Sequence, residues 1–180
     1  MLIKILAGLL ALVVLFAIVV SFQPATFRVV RSATIAAPAN VVFAQINDFH
    51  KMEVWSPWAK MDPAMKTTFS GPEAGPGASY AWAGNSQVGE GRLTIVESKP
   101  YERIQYRQEF FKPMKGVNTA EFTFTPQGDR TLVTWTMFGD QNFVAKAFGL
   151  FVSMDKMIGG TFEQGLANLR TIAESEVKKP

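Results

Sequence analysis

Asp155 is the residue of this 180-residue chain whose position points most directly to chemistry. Apolar residues from Phe148 to Leu169 recur at helical spacing and form one stripe, and Asp155 lies within that stripe, four residues after Phe151. A carboxylate in such a stripe must pair with a cation or have a raised pKa, because burial of an unpaired charge is costly. Asp155 is therefore a candidate catalytic acid or base, or a polar anchor for a ligand.

The surroundings of Asp155 decide between a chemical and a structural interpretation. Arg92, Arg107 and Lys156 are the cations that we expect near a buried Asp155. The alternative is a kink at the glycine pair 159–160, because glycine destabilises a helix by about 1 kcal/mol relative to alanine. Such a kink would turn Asp155 towards solvent and leave it without a chemical role.

Two pairs of opposite charges share strand faces, Glu90 with Arg92 and Arg107 with Glu109. Pairs of this kind are typical of a solvated ladder on the outer face of a sheet, and the alternative is a buried pair that orients a ligand carbonyl or carboxylate. His50 is the only histidine, so a site that needs two imidazoles is excluded.

The composition and the missing motifs exclude several classes of protein. The chain has no cysteine, which excludes disulfides and thiolate metal sites. Its 18 basic and 15 acidic residues are scattered, so we expect no nucleic-acid binding. The glycine-rich segment 71–77 is not followed by Lys-Ser/Thr and is not a phosphate-binding loop. We expect neither a metal nor a cofactor.

The N-terminal residues predict a membrane anchor. Residues 5–22 carry no charge, and about 20 apolar residues cross a bilayer as a helix. Lys4 resembles the basic start of a signal peptide, but no small-x-small cleavage site follows, and Pro24 is a poor neighbour of a cleavage point. We favour an uncleaved anchor over residues 1–24, with a cleaved signal or a buried core helix as the alternatives.

The charges beside the span and the character of its start bear on which side of the membrane residues 25–180 lie. Lys4 and the N-terminus face Arg28 and Arg31 across the span, so the positive-inside rule is nearly balanced. The signal-like start favours export. We therefore expect a single-pass membrane protein with its soluble domain on the periplasmic side.

Residues 25–180 predict one α+β domain. Alternating and β-branched segments indicate six to seven strands, and from Asn142 the apolar period changes to that of a helix. Pro38 suits the first turn of a helix over Ala39–Asp48. Such an order predicts a curved antiparallel sheet covered by one long C-terminal helix. The predicted strands are Phe27–Ile35, Met65–Phe69, Ala78–Ala83, Val88–Ser98, Glu102–Phe111, Asn118–Thr125 and Thr131–Phe138.

Short motifs spread over residues 27–174 carry a family resemblance. They are Ile35–Pro38, Trp55–Trp58, Gly75–Gly77, Tyr80–Trp82, Gly89–Gly91, Ala120–Pro126, Thr131–Trp135, Gly149–Phe151, Met154–Met157 and Gly165–Leu169. In these motifs the chain resembles the SRPBCC superfamily of helix-grip proteins, and within it the polyketide cyclase/dehydrase-like group. The resemblance implies the helix-grip fold, which hosts carriers, enzymes and interaction modules alike.

The resemblance also implies a hydrophobic cavity between the sheet and the last helix. Large aromatic residues and flexible methionines suit an adaptable apolar pocket, and the alternative is that they fill a solid core. The candidate ligand-binding residues are Tyr80, Trp82, Tyr106, Phe110, Phe122, Phe124, Trp135, Met137, Phe148, Phe151 and Met154.

Three functions are consistent with this sequence. The first is a membrane-anchored, monomeric binding protein for a lipid or another hydrophobic small molecule. The second is a polyketide cyclase or dehydratase that folds its substrate in the cavity, with Asp155 as acid or base. The third is an interaction module that resembles chaperone-ATPase activators. An enzyme would require convergent polar groups in the cavity. A carrier would require an apolar cavity with a mobile mouth at residues 71–77 and 112–116. An interaction module would require an exposed apolar patch.

Overall fold

A curved sheet of seven antiparallel strands forms the centre of the computed structural model, which describes residues 1–178. The strands are β1 (Thr26–Ile35), β2 (Lys66–Ser70), β3 (Ser79–Ala83), β4 (Glu90–Lys99), β5 (Arg103–Lys112), β6 (Gly116–Gln127) and β7 (Arg130–Asp140). The helices are α1 (Leu2–Ser21), α2 (Ala39–Asn47), α3 (Phe49–Trp55), α4 (Pro57–Met61), α5 (Phe143–Gly149) and α6 (Met154–Val177).

The strands lie in the order β1-β7-β6-β5-β4-β3-β2. Strands β2 to β7 form a meander, and β1 pairs with β7 along its whole length. The chain passes from β1 at one edge to β2 at the other through α2, α3 and α4. The predicted helix-grip fold is confirmed; the last two residues of the domain predicted over 25–180 lie outside the described part of the chain.

Helix α6 covers the inner face of the sheet with the apolar stripe that the sequence predicts. Phe162, Leu166 and Leu169 are buried, and the ring of Phe162 stacks on Trp135 with 4.0 Å between the ring centroids. Gly165 allows this close packing, because a Cβ atom there would lie 2.9 Å from the Trp135 ring. The helix therefore lies almost directly against the aromatic residues of β7.

The C-terminal helical segment is interrupted before Asp155, not at the glycine pair 159–160. Helix α5 ends at Gly149, and Ser153 caps a new helix by accepting a hydrogen bond from the backbone N–H of Lys156 (3.3 Å). Helix α6 then continues through both glycines. Gly159 lies against the guanidinium of Arg31, where a side chain would collide. The interruption of the segment therefore precedes the glycine pair, and Gly159 permits the close approach of Arg31.

Helix α1 extends away from the domain as an apolar rod. It is the one described helix long and apolar enough to cross a membrane, and Val20 is its only buried residue. Its C-terminal end is held to the domain by Gln141, whose backbone N–H donates to the Ala25 carbonyl (2.7 Å) and whose side chain donates to the Pro24 carbonyl (3.2 Å).

Candidate ligand-binding site

A cavity of about 250 Å³ lies between the sheet, the α3–α4 segment and the first half of α6. Its walls are mainly aromatic and aliphatic, and all four tryptophans of the chain contribute to them. The lining residues are Met52, Trp55, Ser56, Trp58, Met65, Tyr80, Trp82, Ser86, Gln87, Val88, Gly89, Leu93, Gln108, Phe110, Lys112, Pro113, Trp135, Met137, Ile158 and Phe162.

The cavity occupies one end of the sheet, which we call the open end. The β3–β4 loop over residues 84–89 and the β5–β6 loop over residues 113–115 are both at this end, and both contribute lining residues. The start of β6 pairs with the end of β7, and Thr26 at the start of β1 pairs with Asp140. The open end is therefore also the end at which α1 joins the sheet and α5 leaves it.

Gln108 is the polar side chain that strand geometry directs to the inner face of the sheet in this cavity. It continues the inward series of Ile104 and Tyr106 on β5, and its neighbours across the sheet are Leu93 on β4 and Asn118 on β6. Its amide can both donate and accept a hydrogen bond, so it can bind a ligand carbonyl or hydroxyl. Gln108 was not among the predicted site residues, although a polar residue in the inward phase of an otherwise apolar strand is the signal that reveals it.

The charge of the cavity wall is low. Among the described residues that line it, Lys112 is the only charged one, and its Nζ lies 2.7 Å from Glu90 Oε1. Burial raises the pKa of the Tyr80 hydroxyl above its ordinary value, with a smaller contribution from the charge of Glu53. Tyr80 therefore remains protonated at neutral pH, and the wall offers neutral hydrogen-bonding groups instead of an ionised base.

Five of the eleven predicted residues line the cavity. They are Tyr80, Trp82, Phe110, Trp135 and Met137. Tyr80 and Trp82 stack with 6.2 Å between centroids, and Trp82 meets Phe110 edge to face at 5.9 Å. These residues come from β3, β5 and β7, which alternate with β4 and β6 in the sheet, and the pleat directs their side chains to the same face.

Three of the predicted residues lie deeper in the core. Tyr106, Phe122 and Phe124 are buried but do not line the cavity. The hydroxyl of Tyr106 donates to the Ile46 carbonyl, and burial raises its pKa well above the ordinary value, with a further contribution from Asp48. Tyr106 thereby joins β5 to α2, which is a structural role.

The remaining three predicted residues lie outside the cavity. Met154 packs half-buried against the core, whereas Phe148 and Phe151 are 52% and 78% exposed. The sequence pattern places Phe148 and Phe151 on one continuous stripe with Ile158 and Phe162. Because the helix is interrupted between Gly149 and Met154, the segment before the break no longer shares a face with α6.

Asp155 lies beside β1 and not in the cavity. Its side chain is 53% exposed and receives two hydrogen bonds from Arg31, at 2.7 and 3.1 Å, while Arg31 Nε donates to Glu163 (2.6 Å). These hydrogen bonds lower the pKa of Asp155 and raise that of Arg31. The expected neighbours Arg92, Arg107 and Lys156 are therefore replaced by a cation from the first strand, because α6 crosses β1.

The other charged candidates and His50 also lie outside the cavity lining, and Glu90 pairs with Lys112 instead of Arg92. Arg107 and Glu109 form an ion pair of 3.3 Å on the outer face of β5, as the solvated ladder predicts. His50 stacks on Phe69 with 3.9 Å between ring centroids and is more than half exposed. The glycine-rich segment 71–77, which was expected at the cavity mouth, borders a separate small pocket beside His50.

A curved antiparallel sheet that grips a C-terminal helix around an apolar cavity defines a helix-grip protein with a ligand-binding or cyclase-like domain. Residues 26–174 match the family described as polyketide cyclase/dehydrase and lipid transport. The chain therefore belongs to this family, within the SRPBCC superfamily. No curated protein matches the sequence.

Solved structures share the fold at low sequence identity. The ZhuI aromatase/cyclase from Streptomyces sp. R1128 is 18% identical, with a TM-score of 0.60 over 85% of this chain and 96% of that one. A Thermobifida fusca protein is 24% identical, with a TM-score of 0.60 over 83% and 93%. The Aha1 dimer from Colwellia psychrerythraea is 13% identical, with a TM-score of 0.56 over 82% and 96%. At these identities, the likeness concerns the fold alone.

Proposed function

We propose that this chain binds a hydrophobic small molecule in the open-end cavity and is held at a membrane by α1. The observation that carries the proposal is the 250 Å³ cavity, whose wall combines four tryptophans with the inward-facing amide of Gln108 on β5. Apolar cavities with a few placed polar groups are the usual form of a small-molecule site. Tyr80, Trp82, Phe110, Trp135 and Met137 are the ligand-binding residues in this proposal.

The volume limits the size of the ligand. An apolar cavity of about 150 Å³ accommodates benzene, and pockets for drug-sized ligands begin at about 300 Å³. A cavity of about 250 Å³ therefore suits a molecule of about two fused rings, or a short single acyl chain, and is too small for a two-chain lipid. A hydroxyl or carbonyl on that molecule would be the partner of Gln108.

The length and composition of α1 support the membrane part of the proposal. Its 20 residues extend about 30 Å at 1.5 Å per residue, which is about the thickness of a bilayer core. Residues 1–24 would then be the anchor and residues 25–180 a single monomeric domain. Export of that domain remains a prediction from the signal-like start of the sequence.

The first experiment identifies the natural ligand. The full chain would be purified from its own host in nanodiscs, and the organic molecules bound to it would be extracted and identified by mass spectrometry, with empty nanodiscs as the control. We expect one apolar compound of limited size to be enriched with the protein. Recovery of bulk membrane lipids alone, in the proportions of the empty nanodiscs, would count against a specific ligand.

A second experiment locates binding in the cavity. Because all four tryptophans line it, their fluorescence should respond to 2-naphthol, a bicyclic probe with one hydroxyl. Leu93→Phe fills the cavity and should weaken the response about tenfold, which is about 1.4 kcal/mol. Leu132→Phe makes the same change on the outer face of β7 and should leave binding unchanged. Equal affinity in both variants would place the probe elsewhere.

Cyclase-like activity is the second candidate, favoured by the family match and the aromatic walls. The lining residues lack an ionised base, so such an enzyme would act mainly by holding a flexible substrate in a productive shape. A poly-β-ketone thioester tests this candidate. An enzyme would direct it to one cyclised aromatic product, with loss of water, whereas a carrier would leave the same product mixture as the reaction without protein.

A further inference from the structure

Helix α5 and the residues that follow it form an apolar surface that the fold leaves uncovered. Helix α5 has no buried residue, and Phe143, Val144, Phe148 and Phe151 are each more than half exposed. We call these four residues, together with Val152, the α5 patch. Single exposed apolar residues are normal on a protein surface, whereas five of them within ten consecutive residues indicate that something covers this segment.

The position of the α5 patch identifies what covers it. Helix α1 packs against α5, and Val20 in the last turn of α1 is the only buried residue of α1. The hydrogen bonds of Gln141 to Pro24 and Ala25 fix the start of α5 to the end of α1. If α1 spans the bilayer, its last turn lies at the membrane surface, and α5 lies at the same depth.

Two lysines adjoin the patch and can be attracted to an anionic lipid surface, while of the two nearby carboxylates Asp155 is paired with Arg31 and Asp140 lies at the end of β7. Lys146 lies within α5 and Lys156 just beyond the patch, and neither makes an ion pair within the described residues. Helices with aromatic and aliphatic residues on one side and lysines beside them lie in the membrane interface. Each basic residue near an anionic surface contributes about 1 kcal/mol to such binding.

We infer that the α5 patch inserts into the bilayer surface and seats the open end of the domain against the membrane. This inference rests on the anchor proposed above. The cavity loops 84–89 and 113–115 lie at the same end of the sheet as α5, so the cavity mouth faces the lipid. Met114 and Val117, which are exposed apolar residues of the β5–β6 hairpin, would be a second point of contact.

This placement gives an apolar ligand a route between the bilayer and the cavity that avoids water. A molecule of two fused rings would otherwise lose the favourable free energy of its burial, about 25 cal/mol per Å² of apolar surface, each time it crossed water. Seating the mouth on the membrane removes that barrier. The anchor then positions a binding site, in addition to retaining the protein.

Spin labels in the full chain test the inference, because the chain has no native cysteine. The variants Phe151→Cys and Met114→Cys would be labelled in vesicles of equal parts phosphatidylcholine and phosphatidylglycerol. Thr68→Cys on the distant edge strand β2 is the aqueous control, and Leu10→Cys within α1 is the membrane control. Collisions with oxygen report lipid contact, and collisions with a soluble nickel chelate report water contact.

We expect the labels at positions 151 and 114 to collide more often with oxygen and less often with the nickel chelate than the aqueous control does. The label at position 68 should collide mainly with the nickel chelate. A label at position 151 in water while the one at position 10 is in lipid would overturn the inference and leave the anchor intact. A label at position 151 shielded from both reagents would also overturn it, because a protein partner or a second copy would then cover the patch. A label at position 10 in water would overturn the anchor itself, and lipid contact at position 151 would then support surface binding without a span.

Discussion

The two ends of the sheet differ in packing, although the same strands run through both. At the open end, Gln108 and Phe110 of β5 face the cavity and are only partly buried. At the opposite end, which we call the closed end, Ile104 of the same strand is fully buried with Phe122 and Leu169. The closed end therefore stabilises the domain through close packing. The open end is less closely packed and provides the cavity and the exposed α5 patch.

The same division runs along α6. Its C-terminal half buries Leu166, Leu169 and Ala173, whereas its N-terminal half provides Ile158 and Phe162 to the cavity and ion pairs with Arg31. Binding sites and the segments that move around them are drawn from the less stable parts of a protein. Substitutions at the two ends should therefore affect different measurements, stability at one and ligand affinity at the other.

The largest expected effect is loss of stability in Phe122→Ala at the closed end. The ring is fully buried against Trp135 and Tyr106, at centroid distances of 4.8 and 5.5 Å, so its removal should cost about 3–5 kcal/mol. Urea unfolding followed by tryptophan fluorescence measures this cost. Phe110→Ala at the open end is the comparison and should cost about 1–2 kcal/mol, because that ring is only partly buried. Equal costs would mean that the two ends do not differ.

Gly165→Ala tests the boundary between the two ends. The added Cβ would lie 2.9 Å from the Trp135 ring and should force α6 away from it, at about 1–3 kcal/mol of overpacking. The unfolding midpoint should fall and the emission of Trp135 should shift. Gly160→Ala in the same helix has open space and should instead stabilise the protein by about 0.5–1 kcal/mol. Stabilisation by both variants would contradict the close helix–sheet contact.

Gln108→Leu should change ligand selectivity without a large change in stability. Loss of the amide should weaken 2-naphthol binding about tenfold, or about 1.4 kcal/mol, and leave binding of the hydrocarbon naphthalene unchanged or improved. Gln105→Leu is the matched control, because Gln105 lies on the outer face of β5 and donates to Glu121 (2.7 Å). An equal loss for both ligands would show that Gln108 supports the fold and does not bind the hydroxyl.

The smallest expected effect concerns pH and the Arg31–Asp155 ion pair. Arg31 lowers the pKa of Asp155 below its unfolded value, so the pair stabilises the native state above the unfolded pKa of 3.8, and this contribution is lost as the pH falls through the folded pKa. Asp155→Asn should remove that part of the acid dependence of the melting temperature. The change should be small, since exposed ion pairs contribute little. Glu97, whose pKa Arg103 lowers, titrates in the same direction, so the comparison of Asp155→Asn with the unaltered chain isolates the pair.

The pattern of the sequence was sufficient to predict most elements of the fold. Apolar alternation places Ala120, Phe122 and Phe124 of β6 on the inner face, and the helical stripe predicts the buried contacts of Phe162, Leu166 and Leu169. Both patterns are local, because the periods of a strand and of a helix are set by the backbone of each element alone. The apolar length of α1 is local in the same sense.

The apolar periodicity of a strand shows which face is buried. It does not show at which residue the helix packed on that face ends and the cavity begins. Tyr106 and Gln108 share one face of β5, and only the position of α2, whose Ile46 carbonyl accepts from Tyr106, places the first in the core and the second in the cavity. Likewise, the helical segment is interrupted after Gly149 and begins again at the cap residue Ser153. Phe148 and Phe151 precede this cap, do not share a face with α6, and are exposed. The other four residues of the predicted stripe, Ile158, Phe162, Leu166 and Leu169, follow the interruption and pack in or against the core.

The sequence by itself determined the class of fold, the apolar inner face and the N-terminal hydrophobic helix, because each follows from the period or length of a single segment. The tertiary structure alone decided that Asp155 pairs with Arg31, 124 positions earlier in the chain, and that Gln108 faces a cavity. It also decided that the cavity, α5 and the end of α1 share one end of the sheet. These facts depend on the register and crossing of elements far apart in sequence, and such contacts leave no periodic signal within either partner.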